Sequence, residues 1–216
     1  MLKGAIFDHD GLMFDTEKIW QKNWKVVADD MGIVLPEEFK QHICGTSGEL
    51  MNSVVKKYYG VADGKEIIAR VKQGVFDDEA IHIDEKPGLR DIIEMFKRNG
   101  VVMAVAISSP EAMIKKNLEN AGISEYFDAI VSGQHVEHGK PAPDIFLLAA
   151  EKIGLDPKDC YVFEDAYNGV NAGHNAGCYT VMIPDMLQPN DEIRKVADEI
   201  CVTLSEASKF IEEGKF

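Results

Sequence analysis

Positive charge is scarce in this 216-residue sequence: 23 lysines and arginines face 37 acidic residues, for a formal net charge of −14 at pH 7. A field of that sign repels polyanions, so neither nucleic acid nor an anionic membrane surface is expected as a partner. It also repels a phosphorylated small molecule. Any site for one must therefore make positive potential locally, from a metal, a lysine or aimed backbone amides. Long apolar runs are missing too. No window approaches the roughly 18 apolar residues of a membrane span, and the first residues read as a strand rather than a basic segment followed by a leader's apolar stretch. Cysteine is limited to Cys44, Cys160, Cys178 and Cys201 with no C-x-x-C spacing. Reduced, buried thiols are expected, and with them a cytoplasmic protein. Internal repeats and low-complexity tracts are absent.

What is present is ordinary globular composition, 45% hydrophobic and 28% charged, at a length that accommodates one main domain with a smaller insertion. Apolar runs rich in β-branched residues recur at 2–7, 101–107, 127–132, 159–164, 178–183 and 199–203. Their unbroken character predicts strands covered on both faces. Helical patterns lie between them, as at 88–100 and 109–122, each closed by a glycine. The alternation predicts an α/β fold: a doubly wound, Rossmann-like parallel sheet. Residues 16–82 break it with helical segments alone, which predicts a small α-helical cap inserted into a core made of 1–15 and 83–216. Its two connections would meet near Asp15 and Pro87, above the carboxyl end of the first strand, where open α/β sheets bind ligands.

The chemistry-bearing residues gather at those strand ends. In "FDHDG" the first strand runs out into Asp8 and Asp10, on one side of the chain, with His9 turned the other way and Gly11 allowing a tight exit. Alone, such a pair equally suits a turn or a helix cap. The fourth strand ends in Glu164 and Asp165. Four carboxylates at one sheet edge repel strongly unless a hard cation sits among them, and Mg²⁺ suits a few carboxylates completed by water and phosphate oxygens. Lys140, in the Pro-flanked loop "HGKPAPD", is by itself an ordinary surface lysine, but at this edge it can clamp a phosphate. Ser108 and Ser109 stand at a strand-to-helix junction, where hydroxyls and amides bind anions or simply cap the helix.

Taken together, "FDHDGLMFDTE", "KPAPDIF" and "FEDAYNGV" make the whole chain resemble the haloacid dehalogenase-type phosphohydrolases, in the helical-cap subgroup that includes β-phosphoglucomutase and sugar-phosphate phosphatases. The resemblance implies an Mg²⁺-dependent phosphatase acting on a small phosphorylated metabolite, a sugar or polyol phosphate. In it Asp8 is the nucleophile that forms an aspartyl-phosphate and Asp10 the acid and base. Lys140 and Ser108 contact the phosphoryl group, while Asp8, Asp10, Glu164 and Asp165 hold the metal. Gly45, Thr46, Ser47, Ser109 and Trp20 become expected substrate contacts, and the assembly is expected to be a monomer or small homo-oligomer.

Three positions depart from the family pattern. Ile107 takes the strand-end place usually held by Thr or Ser, leaving Ser108 as the hydroxyl. Trp20 and Gly48 stand where β-phosphoglucomutase has a histidine and an arginine. A mutase must retain and turn a bisphosphorylated intermediate, so the loss of polar anchors favours hydrolysis over the alternative, a sugar phosphomutase. Trp20 can stack on substrate or pack on Trp24. Gly169, Gly173 and Gly177, four apart, suit close helix-to-sheet packing rather than dinucleotide binding. His135 and His138 read as loop histidines, not a metal pair. A phospho-accepting receiver domain shares many of these residue types, but in a different order and without the helical insertion; a non-catalytic sugar-phosphate binder is the remaining rival.

Overall fold

The computed structural model describes residues 1–79, 83–108 and 111–215. Among them, six strands form one all-parallel sheet: Gly4–Phe7 (β1), Val102–Ile107 (β2), Ala129–Ser132 (β3), Cys160–Glu164 (β4), Tyr179–Met182 (β5) and Glu199–Ile200 (β6). Their order is β3-β2-β1-β4-β5-β6, the doubly wound arrangement expected, and it puts β1 at the centre with β2 and β4 as its neighbours. Side chains of β1 alternate between two cores. Ala5 and Phe7 enter one cluster and Ile6 the other. The first cluster is covered by helices Leu89–Arg98 and Glu111–Ala121, and also by Leu204–Glu212 at the end of the chain; the second is covered by Asp144–Lys152 and Tyr167–Ala176.

Among the described residues, four helices lie between β1 and β2 ahead of the sheet-covering ones: Thr16–Asp30 (α1), Glu38–Ile43 (α2), Gly48–Tyr59 (α3) and Lys65–Glu79 (α4). The short α2 has no counterpart in the sequence-based expectation. These helices share a cluster in which Trp24, Phe39, Val55, Tyr59, Val71 and Val75 are buried, and Tyr59 Oη donates to the Trp24 carbonyl at 2.7 Å. The chain leaving β1 pairs with the chain returning to the sheet: Asp15 N–H donates to Asp84 O at 2.9 Å, and Lys86 N–H donates to Met13 O at 2.8 Å. The two crossings therefore run side by side.

Two local expectations need correction. The last strand is shorter than 199–203, because Thr203 Oγ1 accepts from Glu206 N–H while Glu206 Oε2 accepts from Val202 N–H. This reciprocal cap turns the chain into its final helix and leaves Val202 77% exposed. Of the three spaced glycines, Gly169 and Gly173 do press on Glu164 and on Thr180 and Val162, but Gly177 is the left-handed cap that ends its helix, at φ 78° with open space around it.

Candidate active site

Alternation along β1 sets the side on which each residue beyond it emerges. Asp8 continues on the side of Ile6, and its N–H extends the ladder by donating to Phe163 O at 3.0 Å. His9 falls on the side of Phe7, buried against Phe14 at a ring separation of 4.9 Å. Because Phe7 pairs in register with Phe163, the ends of β1 and β4 lie together. Asp8, Glu164 and Asp165 accordingly bring one carboxylate oxygen each within 4.8 Å of one another, all three buried. Gly11, at φ 77°, then leads the chain away beside Asp165.

Lys140 enters this group from the loop after β3. Its ammonium, with the side chain 7% exposed, donates to Asp8 Oδ1 and to Glu164 Oε1. Glu164 Oε2 accepts from the N–H groups of Asp165 and Ala166 at 3.1 and 3.2 Å. One ammonium among three carboxylates leaves negative charge uncompensated, and two unit charges at 4.8 Å repel by about 3.5 kcal/mol at an effective dielectric near 20. The ionisation of the group reflects this. Burial, reinforced by the charge of Glu164, pushes Asp8 up to about 7 despite Lys140. Burial and the same neighbour raise Asp165. For Lys140, burial alone would lower the ammonium, but the Asp8 and Glu164 charges overrule it and hold it raised. Buried oxygen ligands carrying surplus negative charge fit a hard divalent cation.

Asp10 is not one of the three. Its side chain is partly exposed and takes a contact from His9 Nδ1 at 3.1 Å, while His9 Nε2 lies 3.4 Å from the Asn117 amide. It still lines the same cavity of about 90 Å³ with Asp8, Lys140, Glu164 and Asp165. Ile107 turns into the core on the side of Phe7, whereas Ser108 is exposed at the cavity wall. The hydroxyl at the strand end is thus that of Ser108. Ser109 lies outside the described residues.

The far wall comes from α1 and from the loop between α2 and α3, where Trp20 and then Gly45, Thr46 and Ser47 face the cavity. Gly45, at φ 65°, approaches so closely that a Cβ there would stand 2.6 Å from that of Ala166, and its carbonyl accepts from Asn168 Nδ2 at 3.0 Å. Trp20 also lies beside Trp24, 6.5 Å between centroids, so it both packs and lines the site. His135 and His138 are engaged elsewhere, with Glu111 and Asp144.

Sequence reasoning gave no role to Glu17, Gln21, Cys44 or Lys72, which line the same cavity. Glu17 is buried, and that burial together with Asp10 raises its carboxyl to about 7. A signal for part of this existed: positions 17, 20, 21 and 24 form one stripe of α1 at helical spacing. Lys72 follows core-facing Val71 on α4, at the edge of the buried face.

The family model of haloacid dehalogenase-like hydrolases matches residues 5–183. A probable pseudouridine-5'-phosphatase of Drosophila melanogaster is 33% identical over 187 residues, 84% of this chain and 81% of that protein. A phosphorylated carbohydrates phosphatase of Thermotoga maritima is 30% identical over 180 residues, 82% of each. The solved β-phosphoglucomutase of Clostridium difficile superposes with a TM-score of 0.80 at 24% identity, covering 99% of this chain and 96% of that one; at that identity the likeness concerns the fold.

Proposed function

We propose, for a chain that belongs to the haloacid dehalogenase-like hydrolases, that it is a Mg²⁺-dependent phosphatase of a small phosphorylated sugar or polyol, working through an aspartyl-phosphate on Asp8. The observation that carries this is the placement of Asp8 at the end of the central strand, buried with Glu164 and Asp165 and held by Lys140. The names of the relatives support a phosphate ester as substrate.

Asp8, Glu164 and Asp165 are the side chains that would hold the metal, which when bound neutralises phosphoryl oxygens and lets a negatively charged ester approach a carboxylate. Asp8 then attacks phosphorus. A P–O bond to Asp8 forms as the bond to the leaving alkoxide breaks, and Asp10 gives that alkoxide its proton. Ionised Asp10 next takes a proton from water, whose oxygen attacks the phosphorus of the acyl phosphate; inorganic phosphate leaves and Asp8 is restored. His9 orients Asp10 through Nδ1. Lys140 keeps Asp8 in place and donates to a phosphoryl oxygen, and Ser108 binds another.

In this reading 1–15 with 83–216 is the catalytic core and 16–82 a cap whose Gly45, Thr46, Ser47 and Trp20 meet the leaving group. That Trp20 and Gly48 offer no charged anchor for a second phosphate supports hydrolysis; Lys72, at the same cavity, is the cation that a phosphoryl return would have to use. Among the described residues no helix is long and apolar enough to cross a membrane. All four cysteines are free and buried, which agrees with a cytoplasmic enzyme, acting as a monomer or small homo-oligomer. The test is phosphate release from p-nitrophenyl phosphate and a panel of sugar and polyol phosphates, with and without Mg²⁺. Continuous release that chelation and Asp8→Asn each abolish is expected. A net isomerisation with total organic phosphate unchanged would instead identify a mutase.

A further inference from the structure

One wall of the cavity is a single stripe of α1. Glu17, Trp20, Gln21 and Trp24 recur at the spacing of one helix face and line the same cavity as Asp8. Trp24 is 2% exposed and fixed by Phe39 and Tyr59, edge-on at 5.7 Å and tilted at 6.2 Å. Trp20 lies over it at 31° and is only half-buried, so a rigidly backed indole stands inside a site whose other end is charged. Beside it, the Gln21 side-chain nitrogen lies near the Glu17 carboxyl but is buried without a well-formed hydrogen bond among the described residues, a costly state that a ligand acceptor would relieve.

Resting on the reading that this cavity hydrolyses a phosphate ester, we infer that Trp20 and Gln21 form the leaving-group subsite and select a cyclic sugar. The phosphoryl group sits among Asp8, Lys140 and Ser108. The sugar ring lays its C–H face on the Trp20 indole while a ring hydroxyl accepts from Gln21 Nε2. An open-chain polyol of the same carbon number has no flat face to offer and must be ordered first, so it gains less from the same wall.

Glucose 6-phosphate and sorbitol 6-phosphate differ in this respect and carry the same phosphate. Their ratio of kcat/KM, measured in Mg²⁺ for wild type, Trp20→Phe and Trp20→Ala, cancels general damage to the enzyme. A fall in the ring-to-chain ratio of about five-fold or more in Trp20→Ala, largely spared in Trp20→Phe, is expected; a smaller fall overturns the inference. Trp20→Leu replaces Trp20→Ala if the latter does not fold. With two tryptophans in the chain, fluorescence gives a readout independent of turnover. In an Asp8→Asn background, saturable quenching by glucose 6-phosphate should vanish in Trp20→Phe, and equal quenching in both proteins overturns the subsite. If no ester is hydrolysed at all, the phosphatase reading fails and the fluorescence arm alone decides whether the subsite exists.

Discussion

Gly11 and Asp165 are in such close approach that a Cβ on Gly11 would lie 2.4 Å from Asp165 Oδ2. The same glycine has φ 77°, a region that side-chain-bearing residues enter at a cost of roughly 1–3 kcal/mol. The turn that ends "FDHDG" is therefore built around a carboxylate of the proposed metal site. Gly11→Ala should lower stability by about that amount and displace Asp165, cutting turnover by about a hundred-fold or more. Thermal unfolding and a magnesium titration of activity check both parts, and a fully active Gly11→Ala would contradict the proposed packing.

Lys140 is the ammonium that links Asp8 to Glu164. Removing one member of a buried charged group leaves its partners uncompensated, at a typical cost of about 3–5 kcal/mol. Lys140→Met should be most destabilised without divalent metal and largely recovered in excess Mg²⁺, because the cation supplies the missing positive charge. Turnover should stay low in both conditions, by about a hundred-fold or more, for want of the donor to the phosphoryl oxygen. Calorimetry with EDTA and with Mg²⁺ separates the two effects.

The pH dependence of the metal-free protein near neutrality stems from buried carboxyls: Asp8 and Glu17, both raised to about 7 from 3.8 and 4.5 by burial and acidic neighbours, and Asp165, raised by burial and Glu164. Between those values the folded chain binds protons that the unfolded chain has released. Unfolding free energy therefore falls as pH rises from about 5 through 7. Groups such as Asp78, held low by hydrogen bonds from Asn23 and Lys22, reverse the trend only in stronger acid. In EDTA the melting temperature should drop across this window. In excess Mg²⁺, which binds the ionised ligands, the drop should shrink or disappear.

How much of this the sequence made legible depends on how far each feature is local. The six strands were readable because burial on both faces makes them unbroken apolar runs, and the ends of the first and fourth runs put Asp8 and Glu164 at one sheet edge. The limits of β6 were not, because the competing cap of Thr203 and Glu206 wins there. Ile107 and Ser108 could be ordered only once alternation along β2 sent Ile107 into the core. The direct grip of Lys140 on Asp8 and Glu164, the separation of Asp10 from the carboxylate trio and the presence of Lys72 at the cavity depend on how loops and inserted helices pack across many residues of chain. No spacing rule encodes that packing.

The central claim is that Asp8 becomes covalently phosphorylated. Rapid acid quenching of the enzyme during turnover of a phosphate ester in Mg²⁺, followed by peptide mass spectrometry, tests it most directly. One phosphoryl group should appear on the peptide containing Asp8 and be lost, together with turnover, in Asp8→Asn. Sustained hydrolysis by Asp8→Asn, or a phosphoryl group found on another residue, would contradict the account.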